Sequence, residues 1–426
     1  MEQEEAYSHL IGHDNCFLTG CAGVGKSWLL NRVINDVGTN SALAVCATTG
    51  IAARNIRGST VHSFLGIGMG RKSEDGRMED FEKFWRKCQF SPYFNRTAIS
   101  QCEVLIIDEI SMMTGTFLND IDEILKRVKK SEEPFGGVKI VCCGDALQLP
   151  PVTKGASVHD WFFKSKAWKA ANIKTLYLHK NYRQTDPEWL SCLNDVRVAK
   201  ISPQTERTLR TREVSSYPEN FEGTFLMSHN EQVRNYNSKK LAELPGQQKD
   251  YNAICTGKDY KIEQLFQTLT TPRILQLKLD AKVMATVNHR DGAYFNGSLG
   301  IVKRMSPEEI TVLFEDGMEC MVTRFRFTDE NRNVEGGKSG GTVVRQFPLK
   351  LAYACSIHQA QGITISKCFI EATHVFQSHQ LYVALSRCKT LEGLTIKGFD
   401  KSKCWCDLEA RKFYDKILNQ EELCQK

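Results

Sequence analysis

Three features of this 426-residue chain predict an α/β fold built on parallel sheets. The stretch "CFLTGCAGVGKSWLL" (16–30) runs from an apolar strand through a glycine loop into a helical pattern. Three more short apolar runs also end in polar turns: Leu43–Cys46 leads into "ATTGIAA", Val104–Ile107 into "DEIS" and Val138–Cys143 into "GDALQLPP". After Arg183 the pattern restarts, which predicts a second α/β domain from about 180. Apolar runs of this length between helical patterns read as buried parallel strands. Ligands on such sheets gather at the carboxyl ends of the strands, so the four polar turns are expected to meet around one nucleotide.

The first turn carries the most explicit chemistry. Gly20, Gly25, Lys26 and Ser27 satisfy G-x-x-x-x-G-K-[ST], with Gly23 inside the loop. Glycines let the backbone N–H groups curl into an anion nest that the following helix N-terminus reinforces. Lys26 is expected along the β- and γ-phosphates, and the Ser27 hydroxyl on Mg²⁺. Asp108-Glu109, after "VLII", supplies the second half of a nucleotide-hydrolysing site. The aspartate would hold Mg²⁺ through water and the glutamate would orient or deprotonate the attacking water. In "GDALQLPPV" Gln148 offers a carboxamide to a γ-phosphate oxygen, and Pro150-Pro151 stiffens the turn behind it. Taken singly, a chance lysine after a glycine turn, a chance acidic pair and a tight strand exit are the competing readings.

The rest of the chain sets bounds. Charged residues make up 25% and hydrophobic ones 41%, a globular composition, and no apolar run is long enough to span a bilayer. The acidic start, Met-Glu-Gln-Glu-Glu, argues against a secretory or mitochondrial presequence, so the expected compartment is the cytoplasm or a nucleus. The sixteen cysteines contain no C-x-x-C pair, which favours reduced, buried thiols over a structural metal. Net charge is +6, and seven basic residues against one acid fall between Lys154 and Arg183. Trp161, Phe162, Phe163, Trp168, Tyr177 and Tyr182 interleave with them, which suits a single-stranded nucleic acid or, equally, a solvated face with its aromatics in the core. Residues 68–100 form a charged, aromatic excursion with a helical middle. From 283 to 345, short alternating strands and turns at Asp291-Gly292, Asn296-Gly297 and Asp316-Gly317 predict a small inserted β-barrel. The tail after Phe399 reads as a closing helix.

In order along the chain, "ATTGIAARNIRGSTVHSFLGIG", "PFGGVKIVCCGDALQLPPV", "NYRQTDPEW", "LAYACSIHQAQGITIS" and "LYVALSRCKTLEGL" resemble the motifs of superfamily 1B DNA helicases of the PIF type, relatives of the RecD helicases. The resemblance runs from Gln3 to about Gly393. It implies two tandem RecA-like P-loop domains, 1–67 with 101–180 and 181–282 with 346–426. It also implies a wedge insertion at 68–100 and an SH3-like barrel at 283–345. Gln3 would read adenine, and Lys26, Ser27, Asp108, Glu109 and Gln148 would form the first-domain half of an ATP site. Arg183 and Arg387, from the second domain, would act as arginine fingers on cleft closure, with Gln361 and Gly362, at the nucleotide, coupling hydrolysis to the closure that moves the protein along a strand. Thr48, Thr49, His62 and His358 would contact DNA; each histidine read alone is more simply a packing or hinge residue.

Two departures stand out. The fifth motif usually reads His-Lys-x-Gln-Gly, whereas this chain has His358-Gln359-Ala360-Gln361-Gly362, removing a positive charge near the DNA path. The chain is also expected to be a compact form, little more than the helicase core, without the long N-terminal extension of many eukaryotic members. The implied activity is an ATP- and Mg²⁺-dependent helicase moving 5′ to 3′ on single-stranded DNA and opening forked or 5′-tailed duplex. The expected state is monomeric or DNA-assembled. A DNA-stimulated translocase without efficient unwinding is the alternative enzyme. A catalytically dead nucleic-acid-binding module is disfavoured by Lys26, Asp108, Glu109, Gln148, Arg183 and Arg387.

Overall fold

The computed structural model describes residues 1–38, 42–67, 71, 78–91, 93–151, 159–218, 221–289, 292–328 and 342–424. Lys154, Asp291 and parts of the 68–100 excursion lie outside them. By internal contact the chain forms two units. One comprises Met1–Ile201, Gln377–Tyr382 and Cys404–Lys426, the other Ser202–Phe376 and Val383–Lys403.

The first unit is organised by a six-stranded sheet of β1 (Cys16–Gly20), β2 (Leu43–Ala47), β3 (Ser59–Thr60), β4 (Val104–Asp108), β5 (Lys139–Cys143) and β6 (Lys174–Leu178). Their spatial order is β3-β2-β4-β5-β1-β6, and the pairings are parallel. The four apolar runs read from the sequence become β1, β2, β4 and β5. The other two strands carry weaker signals: β3 has only two residues, and β6 opens on an exposed lysine. Alternate side chains divide between two cores. Phe17, Leu105, Ile107, Ile140 and Cys142 enter one, and Cys16, Leu18, Ile106, Val141 and Cys143 the other. Both faces are therefore covered, which is why these strands are apolar throughout rather than alternating with polar residues.

Helix α1 (Gln3–Ile11) buries Ala6 and Leu10, and α2 (Lys26–Val37) buries Leu29, Leu30, Val33 and Ile34, against one face. On the other face, Thr114 caps the helix Gly115–Lys129 by accepting from the Phe117 N–H, and Leu118, Ile121 and Leu125 recur at helical spacing. The excursion joins this same core. Asp80 caps the helix Phe81–Phe90, which buries Phe84, Trp85 and Cys88 there.

Three segments, 181–201, Gln377–Tyr382 and Cys404–Lys426, group differently from the sequence expectation, which placed 181–282 and 346–426 together. Residues 181–201 and the closing helix Leu408–Cys424 belong with the first unit. The physical reason is buried polar pairing: Arg197 meets Asp145, and the Tyr414 hydroxyl meets Thr19 Oγ1 at 2.5 Å.

The second unit contains a four-stranded parallel sheet, Ala354–Ser356, Thr224–Met227, Cys368–Glu371 and Leu394–Lys397 in spatial order. It also contains a five-stranded antiparallel sheet in the order Glu319–Thr323, Glu309–Phe314, Leu299–Met305, Lys282–Ala285, Leu349–Leu351. Alternating Ile310, Val312 and Phe314 point into the core of that antiparallel sheet.

Candidate active site

β1 delivers the chain into the glycine loop, and the loop is pinned at several backbone atoms. Gly25, at φ +84, caps α2 in the left-handed region, and a Cβ there would lie 2.4 Å from Gln3 Nε2. Gln3 Nε2 donates to Val24 O at 3.2 Å, so the residue expected to read adenine sits against the loop. Gly23 is equally confined, since its Cβ would meet Asn181 Oδ1 at 2.7 Å and Arg183 Cβ at 2.8 Å. Asn181 Nδ2 donates to Ala22 O at 2.8 Å and the Tyr182 N–H to Gly23 O at 2.9 Å. The Ala22 N–H donates to the Tyr382 hydroxyl at 2.9 Å. Lys26 Nζ donates to Gly20 O at 2.8 Å and Cys21 O at 3.0 Å, which holds its ammonium over the loop. Ser27 opens α2 and is exposed.

Asp108 ends β4, beside β5 and one strand removed from β1, and Glu109 follows it. Burial pushes the Asp108 carboxyl above the usual carboxylate range, opposed by the Glu109 N–H, the Cys143 thiol and Lys26. The Glu109 N–H donates to Asp108 Oδ1 at 2.8 Å. Glu109 itself is left-handed at φ +53, an unusual conformation for a side chain of this size. An oxygen-only donor set of one hydroxyl and one carboxylate suits Mg²⁺, which takes its remaining ligands from phosphates and water. Among the described residues no cluster of three His, Cys, Asp or Glu could hold a metal unaided.

Asp145 follows β5 and is fully enclosed. Burial alone would raise its pKa, but Arg197 and Lys26 outweigh that and hold the carboxyl below its ordinary value. Gln148 Nε2 donates to Asp145 Oδ2 at 3.3 Å, so the carboxamide expected at the γ-phosphate is oriented from behind by this pair. Arg183 was expected in the second domain; it lies in the first unit, on the loop after β6 that abuts the glycine loop.

The nucleic-acid candidates fall in both units. Thr48 Oγ1 donates to Glu109 O at 2.9 Å, while Thr49 Oγ1 accepts from the Ala52 N–H at 3.2 Å. Thr49 thereby caps α3 (Gly50–Asn55). The His62 ring stacks on Phe117 with centroids 4.2 Å apart. In the second unit, half-buried His358 is followed by Gln361, which is buried, and by Gly362 at φ +82. Arg387 is buried in the same unit, with Nε donating to Val383 O at 2.9 Å, Nη1 to Ala360 O at 3.4 Å and Nη2 to Ser386 Oγ at 2.8 Å.

Sequence reading passed over Asn181, Arg197, Tyr382 and Tyr414. Asn181 lies inside "NYRQTDPEW", which was read only for its arginine, and Tyr382 inside "LYVALSR". Arg197 and Tyr414 stand in no motif, and only the fold brings them to Asp145 and Thr19.

A family model described as PIF1-like helicase matches residues 2–199. The chain is 34% identical over 435 residues to the "ATP-dependent DNA helicase PIF1" of Danio rerio; the match takes in 100% of this chain and 65% of that relative. It thus spans just under two thirds of that relative's length. The "ATP-dependent DNA helicase Pif1" of Bdellovibrio bacteriovorus is 32% identical over 413 residues, with 97% of this chain and 91% of the relative covered. Among solved structures, Pif1 helicase from Bacteroides in complex with ADP-AlF3 and ssDNA superposes with a TM-score of 0.69 at 31% identity, over 98% of this chain and 97% of that one.

Proposed function

The chain belongs to the PIF1-like helicase family, and from that premise we propose that it is an ATP-dependent DNA helicase moving 5′ to 3′ on single-stranded DNA. The observation that carries the reading is the meeting, at the carboxyl ends of β1, β4 and β5, of the Lys26 loop, the Asp108-Glu109 pair and Gln148. Backbone N–H groups of residues 23–27 would cradle the phosphates, Lys26 would turn from its loop carbonyls to the β- and γ-oxygens, and Glu109 would orient water for in-line attack. Bound Mg²⁺, held through Ser27 and Asp108, would neutralise charge on the phosphates. Gln3 would read the adenine edge, with the Tyr182 ring, 3.6 Å from a Cβ at Gly25, as a further wall.

Arg183 and Arg387 would stabilise charge developing on the transferring phosphoryl group, and the closing of one RecA-like domain on the other would step the protein along its strand. Residues 68–100 would serve as the duplex-splitting wedge and 283–345 as the SH3-like cover. Thr49, His62 and His358 would line the strand. Such an enzyme acts on replication, repair or recombination intermediates, wherever the cell keeps DNA and ATP, in the nucleus or cytoplasm. No helix among the described residues is long and apolar enough to cross a membrane.

Duplexes with a single 5′ or 3′ tail, with and without ATP, test the proposal. Unwinding is expected only from the 5′ tail and only with ATP. Opening from the 3′ tail would reverse the polarity. DNA-stimulated hydrolysis without strand separation would favour the translocase reading, and no hydrolysis with DNA present would remove the enzyme.

A further inference from the structure

Glu109 is held by its backbone. Its N–H donates to Asp108 Oδ1 at 2.8 Å, and its carbonyl accepts from the Met112 N–H at 3.1 Å and from Thr48 Oγ1 at 2.9 Å. These bonds fix the peptide units on both sides of a Cα at φ +53, ψ 42, where a residue with a long side chain stays only if its surroundings hold it. The direction of the Glu109 carboxylate is therefore set by the bonds that keep this backbone in place. Thr48 is the holder that comes from a different strand. It follows β2, whose Ala47 pairs with Asp108, and its own N–H donates to Asp108 O at 3.2 Å.

The next residue faces the other way. Thr49 Oγ1 accepts from the Ala52 N–H at 3.2 Å, and Thr49 O accepts from the Ala53 N–H at 2.9 Å, fixing the start of α3. One peptide bond thus separates a clamp on Glu109 from the helix start assigned above to the DNA strand.

We propose that Thr48 is a positioning residue, which aims Glu109 and passes strand engagement at Thr49 and α3 to the hydrolytic water. The relay rests on the helicase reading for its strand contact. The sequence resemblance placed Thr48 on the DNA itself; the geometry gives its hydroxyl proton to Glu109 O. Loss of that bond leaves the Glu109 carbonyl on the Met112 N–H alone and loosens its peptide, and hydrolysis slows with the phosphate cradle and the strand path intact.

The test compares Thr48→Val, which keeps the branched shape and loses the donor, with Thr48→Ser, which keeps the donor. Steady-state hydrolysis is measured at saturating oligonucleotide, and the Kd for a labelled single strand is measured separately. Thr48→Val is expected to lower kcat about tenfold or more, the size of effect that slight misplacement of a catalytic group produces. KM for ATP and the oligonucleotide Kd should stay within about twofold, and Thr48→Ser should keep kcat within about threefold. A Thr48→Val protein with unchanged kcat overturns the proposal. So does one whose defect lies in the oligonucleotide Kd with kcat preserved, which would make Thr48 a strand contact. If Thr48→Val melts below the assay temperature, Thr48→Ala takes its place, and a serine variant as slow as alanine is equally fatal. A wild-type chain whose hydrolysis ignores DNA defeats the helicase reading and the relay, whereas the aiming of Glu109 is still read from DNA-free kcat.

Discussion

Arg197 Nη2 lies 2.9 Å from Asp145 Oδ1, and both side chains are buried. The pair joins the last residue of the helix Pro187–Arg197, which lies beyond the motif at its start, to the turn that carries Gln148, and Gln148 in turn donates to Asp145. The arginine also lies over the Tyr414 ring, 4.9 Å from its centroid, tying in the closing helix. Removing one member of a buried pair leaves the other as an uncompensated charge. Arg197→Met is therefore expected to cost about 3–5 kcal/mol, read from denaturant unfolding of the intact chain. Arg197→Met combined with Asp145→Asn should recover part of that loss, because the stranded carboxylate is gone. A single variant as stable as wild type would show that the pair is not a structural anchor.

Lys26 makes its hydrogen bonds to the carbonyls of its own loop, Gly20 and Cys21. Lys26→Ala removes the cation meant for the β- and γ-phosphates and touches none of the proposed strand contacts at Thr49, His62 and His358. Hydrolysis should vanish while fluorescence anisotropy with a labelled single strand stays close to wild type. Parallel loss of both would mean that the phosphate grip and the strand path are one surface.

The glutamine of the fifth motif predicted a missing charge. In the structure Lys350 Nζ donates to Gln359 Oε1 at 3.1 Å, so an ammonium from the strand Leu349–Leu351 returns to that spot. Gln359 also lines a cavity of about 470 Å³ with Arg234 and Arg273, although Arg273 is paired with Glu263 at 2.6 Å. Lys350→Ala should weaken single-strand binding and reduce the slope of log K against log salt by about 0.7, the value of one phosphate contact on a single strand. Adding Gln359→Lys should restore both. An unchanged slope in Lys350→Ala would place this cation off the strand.

What was legible in the sequence, and what was not, follows from how local each signal is. The glycine loop, Asp108-Glu109 and the strands β1, β2, β4 and β5 were readable because each pairs an apolar run with chemistry at its end. Arg197 and Tyr414 were not, since their partners Asp145 and Thr19 lie 52 and 395 residues away and no period or spacing links them. Thr48 was legible as a motif residue but not as a holder of Glu109, because that bond depends on β2 lying beside β4. The grouping of 181–201 with the first unit has the same origin: the alternation restarts after Arg183, but burial of Arg197 decides where the helix goes.

His379 gives the fold a dependence on pH. It is buried at φ +62, its Nε2 accepts from the Asp407 N–H at 3.0 Å, and its buried Nδ1 has no hydrogen-bond partner among the described residues. Burial pulls its pKa down to about 4 from an ordinary 6.5; Asp145 and Asp407 push the other way, and Arg197 and His159 add to the lowering. The unfolded chain therefore takes up a proton at this position between pH 6.5 and 4 while the folded chain does not, so stability falls as pH drops through that window. The full loss at this site is about 3 kcal/mol, at 1.36 kcal/mol for each unit of difference. Protonation in the folded chain would also convert Nε2 from acceptor to donor and break its bond to Asp407. His379→Asn keeps a residue type that tolerates a left-handed backbone and removes the titration. At pH 7 the variant should be less stable by about 1 kcal/mol, the worth of the lost acceptor. Unfolding midpoints in urea, taken from about pH 7 down to about pH 4.5, should then show the two proteins converging and crossing between about pH 6 and 5, with the variant the more stable at the acid end. A gap that stays constant across those pH values would mean that His379 does not titrate in this way.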